Sequence, residues 1–365
     1  MKILIINTVP TDKNGITNVI FNYLSSMNME GLTFDYLSLN QPADIYERIV
    51  KMAGGQIYVI ERSAKHIGKY WFRLHSLIKH NKYDGVHIHG NSHTVVLELT
   101  AARMAGCVVG MVHAHNTTCK HVVSHKILSP LFTLLCTHRF ACGNKAGKFM
   151  YGKKPFVVIN NGVDIEKFSF VPHMRSLLRE KYGFNGKKVI GHVGYFTEVK
   201  NQSFIIDIIN VLLKWNPDYR LVLIGDGPLK NDVMHKAMEK GIDEFILFTG
   251  NIDNVNDYLN AIDIIVMPSL FEGLPLTLIE QQANGLQCVV SDVVTTEVDK
   301  SGNLYFMRLN DNPSEWADVI DSIDCLSNRD IRAEKAVADI TGAGYNIKQE
   351  ADKLKDYYLS CNPNI

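Results

Sequence analysis

Short runs rich in β-branched residues alternate with longer amphipathic stretches along this chain, and near its middle the alternation starts over. The first half reads as strands at KILIIN (2–7), LTFDYLSL (32–39), QIYVIE (56–61), GVHIH (85–89), VVGMVHAH (108–115) and FVVIN (156–160), with helical patterns between them. After NNGVD (160–164) and a polar stretch, KKVIGHVG (187–194) opens a second cycle, followed by RLVLIGD, EFILFTG, DIIVMPS and QCVVSD. Strands that are apolar along their whole length are buried on both faces, as parallel strands under two layers of helices are. The expected fold class is α/β, with two doubly wound parallel-sheet domains. The domain bounds are read as 1–165 and 166–345, with a C-terminal helical segment, 346–365, packing back on the first domain.

A chain of 365 residues is long enough for two such cores. Its 38 basic residues balance 38 acidic ones, so no global field draws it to nucleic acid or to an anionic surface. The seven cysteines form no CxxC pair and sit mostly in apolar runs, which fits a reducing, cytoplasmic setting. MKILIIN is too short for a signal peptide, and no uncharged run approaches the ~20 residues that span a bilayer, so a soluble or peripheral protein is expected.

One segment carries chemistry. In FEGLPLTLIE, residues 271–280, Pro275 stands where a helix begins, and Gly285 stands where it ends. A helix N-terminus presents free N–H groups and a positive dipole end, so the loop before it is a cradle for a diphosphate, with Thr277 adding a hydroxyl. Glu280 lies five residues past Pro275, roughly 7.5 Å along the axis, on the face it shares with Thr277. That reach suits a ribose, and Glu272 on the other side suits the sugar. Spacing alone fits two solvated helix-end acids equally well.

The flanking residues resemble a known family. EGLPLTLIE looks like the E-x7-E signature of the retaining glycosyltransferases of family 4, whose GT-B architecture sets two Rossmann-like domains face to face across a cleft. NGI, YDGVHIHG, VHAHNT, VINNGVD, GHVGYFTEVKN, LIGDGP, FTGNID and CVVSD follow that family's order over nearly the whole chain, with the nearest likeness to capsule and exopolysaccharide transferases. The resemblance implies a hexosyltransferase that takes a nucleotide-diphosphate sugar, with uridine as the family's habitual base, and transfers it to a glycan or polyprenyl-linked acceptor. The first domain would bind acceptor and the second would bind donor. Glu272 would contact the sugar hydroxyls, Glu280 the ribose, the backbone of Gly273, Leu274 and Pro275 the diphosphate, and Asn251 with Ile252 the base. Lys200 corresponds to the family's phosphate-binding lysine, next to Gly194 and Tyr195 in VGYFTEVK. Tyr195 stands where the family usually has arginine, so one of two expected cations is replaced by a neutral hydrogen-bonding group.

In the first half, Gly15 opens a helix after the first strand, either to admit a ligand to the backbone or to make a tight turn. His115 in VHAHN corresponds to a family histidine that approaches the reacting carbon, with Asn116 assisting. His87, His89 and His113 are read as core histidines satisfied by hydrogen bonds, although His87 and His89 share a strand face and so have metal-ligand spacing. No metal or other cofactor is expected, because the family generally works without one and the chain lacks the paired aspartates that hold a divalent ion to a diphosphate.

Residues 119–140 mix Lys120, Lys126, Arg139 and histidines with an apolar run, 127–136. Two readings are open: a helix lying on the inner face of a membrane, or a buried helix broken near Pro130. Two other activities also remain open. Nucleotide-sugar 2-epimerases share the architecture, and Tyr195 would suit a donor-binding subunit that needs a partner chain.

Overall fold

The computed structural model describes residues 1–12, 14–119, 122–325 and 327–361. They form two units, Met1–Gly162 with the C-terminal segment from Asn346, and Val163–Tyr345.

The first unit holds a parallel sheet of seven strands: β1 (Lys2–Asn7), β2 (Thr33–Ser38), β3 (Ile57–Val59), β4 (Gly85–His89), β5 (Val109–Ala114), β6 (His138–Ala141) and β7 (Val157–Val158). Their order across the sheet is β3-β2-β1-β4-β5-β6-β7. Successive residues of β1 point to opposite faces and both faces are covered. Ile3 and Ile5 enter one core with Phe34, Tyr36 and the Gly15–Ser26 helix, and Leu4 and Ile6 enter the other with Leu74, Val86 and Leu99. The C-terminal helix Ile347–Ser360 belongs to the first of these cores through Ile347, Ala351, Leu354 and Tyr358.

The second unit repeats the plan with β8 (Lys188–Val193), β9 (Tyr219–Ile224), β10 (Ile246–Gly250), β11 (Ile264–Met267), β12 (Gln287–Ser291) and β13 (Leu304–Met307), ordered β10-β9-β8-β11-β12-β13. Ile265 and Met267 of β11 pack to one side, Ile264 and Val266 to the other. In both sheets the chain fills one side outward from the first strand and then crosses to fill the other. This leaves a switch point, where α/β sheets open a crevice at the strands' C-terminal ends, between β1 and β4 and between β8 and β11.

Three sequence expectations are corrected. β6 and β13 were not among the strands read from the pattern; each has only four residues. The stretch 119–140 is broken near Pro130 as read, into helices Val122–Ile127 and Ser129–Leu135 followed by β6, but Val123, Ile127 and Leu134 on them are exposed, against the alternative of a buried helix. The break falls at Leu128, and Pro130 sits in the first turn of the second helix, where its ring is tolerated and the interior of a continuous helix would not tolerate it. Lys120 and His121 lie outside the described residues.

Candidate active site

The Leu276–Ala283 helix follows β11 with Pro275 as its N-cap, and Gly285 takes φ +72° two residues past its end. Pro275 supplies no side-chain cap; Leu278 N–H donates to Pro275 O at 3.0 Å, while the N–H groups of Leu276 and Thr277 stand at the open end of the helix. Gly273 is exposed, and nothing described lies within 4 Å of where its Cβ would be.

Lys200 ends a short helical turn, Glu198–Lys200, after β8, and Glu272 lies in the loop after β11. The two strands flank the switch point, and the side chains meet: Lys200 Nζ donates to Glu272 Oε1 at 2.5 Å. The backbones are tied as well. Leu270 N–H donates to Val199 O at 2.7 Å, and Asn201 Nδ2 donates to Pro268 O at 3.2 Å. A cation, a carboxylate and a helix N-terminus therefore converge on one loop pair.

Two glycines that the sequence reading left unassigned shape the floor. Gly225 and Gly227 follow β9 with φ of +137° and +151°, where a side chain is strained. A Cβ on Gly225 would stand 2.1 Å from Gly194 O, and one on Gly227 2.6 Å from the backbone of Phe196. A Cβ on Gly194 would stand 2.9 Å from His192 Nε2. Phe196 N–H bonds Asp226 O at 2.8 Å, so the loops after β8 and β9 are pressed backbone to backbone. The LIGDGP spacing was the available signal for this contact.

Tyr195 is exposed, 59% accessible. Asn251 is exposed after β10, while Ile252 packs into the core. Glu280 and Thr277 are half-buried on the helix. Burial raises the Glu280 carboxyl to about 7, against the opposing pull of Lys167.

In the first unit, Gly15 opens its helix without a positive φ and with no described atom within 4 Å of its missing Cβ, so no tight turn requires it. Asn14 caps the helix, its Oδ1 accepting from Thr17 N–H at 3.0 Å. Asn91, which the sequence reading missed, accepts from the N–H groups of both His115 and Asn116 at 2.9 and 3.0 Å. It follows the HIHG run at the end of β4. His115 Nε2 lies 2.9 Å from His89 Nδ1, and burial lowers His115 to about 3, so its imidazole is neutral. His87, His89 and His113 are buried as expected, but His87 Nε2 and both nitrogens of His113 have no partner, which corrects the reading of satisfied core histidines.

The profile for Glycosyl transferases group 1 matches residues 187–323. EpsF of Bacillus subtilis (strain 168), named as a glycosyltransferase, is 31% identical over 330 residues, covering 85% of this chain and 84% of its own. The Escherichia coli UDP-Gal:alpha-D-GlcNAc-diphosphoundecaprenol alpha-1,3-galactosyltransferase is 32% identical over 308 residues, 78% of each chain. The structure of Anabaena HepE in complex with UDP superposes with a TM-score of 0.79 at 16% identity, over 99% of this chain and 100% of that one. That last likeness concerns the fold, two parallel-sheet domains of the GT-B kind. The two sequence relatives, each matched over more than three quarters of this chain, establish that it belongs to the group 1 glycosyl transferases.

Proposed function

We propose that the chain transfers a hexosyl group from a uridine-diphosphate sugar to a hydroxyl of a lipid-linked glycan, with retention of anomeric configuration, as a family 4 enzyme of surface-polysaccharide synthesis. The observation that carries this reading is the Lys200–Glu272 pair at the start of the Leu276–Ala283 helix. The diphosphate lies against the first-turn N–H groups and Gly273, Leu274 and Pro275, Thr277 adds a hydroxyl bond, and Lys200 takes up the charge that develops on the leaving phosphate. Glu272, released from Lys200, accepts from the sugar hydroxyls, Glu280 from the ribose, and Asn251 and Ile252 border the base. Gly194 and Tyr195 line the phosphate side, where the tyrosine brings a hydroxyl in place of a second cation.

As the bond from the anomeric carbon to the phosphate oxygen breaks, the acceptor oxygen bonds to the same face of that carbon. Its proton passes to the departing phosphate, so no metal and no separate base is needed. From the first unit we assign His115, neutral and held by His89 and Asn91, to the reacting centre, and Gly15 to close approach of substrate. The E. coli relative, whose name specifies a UDP-sugar donor and a diphosphoundecaprenol-linked acceptor, supports this choice of substrates.

No described helix is long and apolar enough to cross a membrane. Val123, Ile127 and Leu134 are exposed on the two short helices of 119–140 while Phe132 of the same stretch is buried, which supports peripheral contact with the bilayer that carries the acceptor. The test is a thermal-shift screen of nucleotide sugars followed by a transfer assay on a polyprenyl-diphosphate sugar. Stabilisation by a UDP-sugar and acceptor-dependent release of UDP are expected. Turnover of donor without acceptor would instead make the chain an epimerase, and binding without turnover would make it a donor-binding subunit.

A further inference from the structure

β4 and β5 run side by side with His89 opposite His113, and His87 precedes His89 by two residues on the same strand face. One ring nitrogen from each of the three lies within 4.8 Å of the other two, and all three side chains are buried. These polar atoms are poorly used. His87 Nδ1 meets Tyr358 Oη at 2.6 Å, but His87 Nε2 and both nitrogens of His113 have no partner. A cavity of about 10 Å³ opens beside them, lined by the three imidazoles, Tyr358 and apolar side chains of the Gly15–Ser26 and Ile347–Ser360 helices, including Leu24 and Leu354.

An unpartnered buried polar group costs roughly 1–3 kcal/mol, so three of them in one place call for a guest that uses their lone pairs together. We infer that His87, His89 and His113 form a site for a divalent transition-metal ion of the zinc class, buried between the central strands of the first unit and its last helix. Imidazole suits zinc, copper and nickel, and no carboxylate belongs to the cluster, which disfavours magnesium and calcium.

A tetrahedral ion with bonds of about 2.05 Å needs its ligand atoms about 3.3 Å apart, a contraction that rotation of the histidine side chains supplies. The partners of the other ring nitrogens suit this role. With the ion on each Nε2, His87 Nδ1–H would donate to Tyr358 Oη at 2.6 Å and His89 Nδ1–H to His115 Nε2 at 2.9 Å. Metal binding thereby fixes the tautomer of His115, placing its proton on Nδ1. The ion is structural, linking β4, β5 and, through Tyr358, the C-terminal helix.

The test uses the full chain, stripped with a chelator and titrated with zinc chloride, then with cobalt chloride. The expected result is a single ion retained per chain through gel filtration, a raised melting temperature, and visible cobalt absorption of a low-coordinate nitrogen site. Tyr358→Phe keeps the ring and its packing and is expected to weaken zinc binding roughly 10- to 100-fold. His113→Asn is expected to reduce retained zinc to background with unchanged circular dichroism; should that variant fold poorly, Tyr358→Phe and the cobalt spectrum decide. No retained ion at saturating zinc would overturn the inference. So would retention indifferent to both substitutions, since the chain has 14 histidines and seven cysteines that can hold zinc elsewhere.

Discussion

Lys200 and Glu272, 72 residues apart in sequence, form an ion pair of 2.5 Å across the switch point of the second sheet, with side chains only 23% and 11% accessible. Each neutralises the other until a ligand separates them. In the proposed function a phosphate draws the ammonium away and the freed carboxylate turns to the sugar hydroxyls, so the pair would serve as a preset acceptor for a group that is anionic at one end and hydroxylated at the other.

Lys200→Ala removes the charge that, in the proposed function, offsets the leaving phosphate. We expect turnover to fall by 10²- to 10³-fold, the range for loss of one preorganised electrostatic contact, with a smaller change in KM. Steady-state kinetics of the transfer reaction check this, and turnover within twofold of the parent would remove Lys200 from the mechanism.

In the proposed function Glu280 accepts from ribose hydroxyls, which makes its ionised form the competent one, and burial raises that carboxyl to about 7. The sign follows: below pH 7 the protonated fraction dominates and affinity drops, and above it affinity levels off. Between pH 6 and 8 the ionised fraction rises about tenfold, and UDP affinity with it. Titration calorimetry across that range should show the rise, and Glu280→Gln should flatten it; a flat profile in the parent would dissociate Glu280 from nucleotide binding.

Gly227→Ala sets a Cβ 2.6 Å from the backbone of Phe196 at φ +151°, and Gly225→Ala sets one 2.1 Å from Gly194 O. Neither neighbour is a side chain that can rotate away. Each variant is expected to lose roughly 2 kcal/mol or more of stability and to weaken nucleotide binding by displacing the loop that carries Lys200. Thermal melts and nucleotide titrations test both, and parental melting temperatures would contradict the packing described.

The proposed membrane contact through 119–140 rests on apolar side chains that are exposed among the described residues. Ile127 and Leu134 are 71% and 78% exposed, and Lys126 lies beside Ile127. Ile127→Asp with Leu134→Asp should abolish co-sedimentation with anionic vesicles and leave UDP binding intact. Equal sedimentation of parent and variant would reject this surface.

The fold was legible in the sequence wherever strands were long and apolar on both faces. β1 and β4 were bounded to the residue by KILIIN and GVHIH. β6 escaped because HRFA carries two basic residues and follows an apolar helix without a turn signal, and β13 because LYFM is a four-residue edge strand. The helix start at Pro275 could be read from local capping chemistry, whereas the Lys200–Glu272 contact depends on strand order that no local pattern encodes. The three histidines are a similar case. The spacing of His87 and His89 on one strand was visible, but the cluster with His113 and the unpartnered nitrogens of His87 and His113 appear only once β5 lies beside β4.

The central claim is that a diphosphate sits at the start of the Leu276–Ala283 helix against Lys200. Calorimetric titration of uridine and of UDP into the parent and Lys200→Ala proteins tests it most directly. The account expects Lys200→Ala to weaken UDP binding by roughly 10- to 100-fold while uridine binding is unchanged. Equal affinity of both proteins for UDP would contradict it.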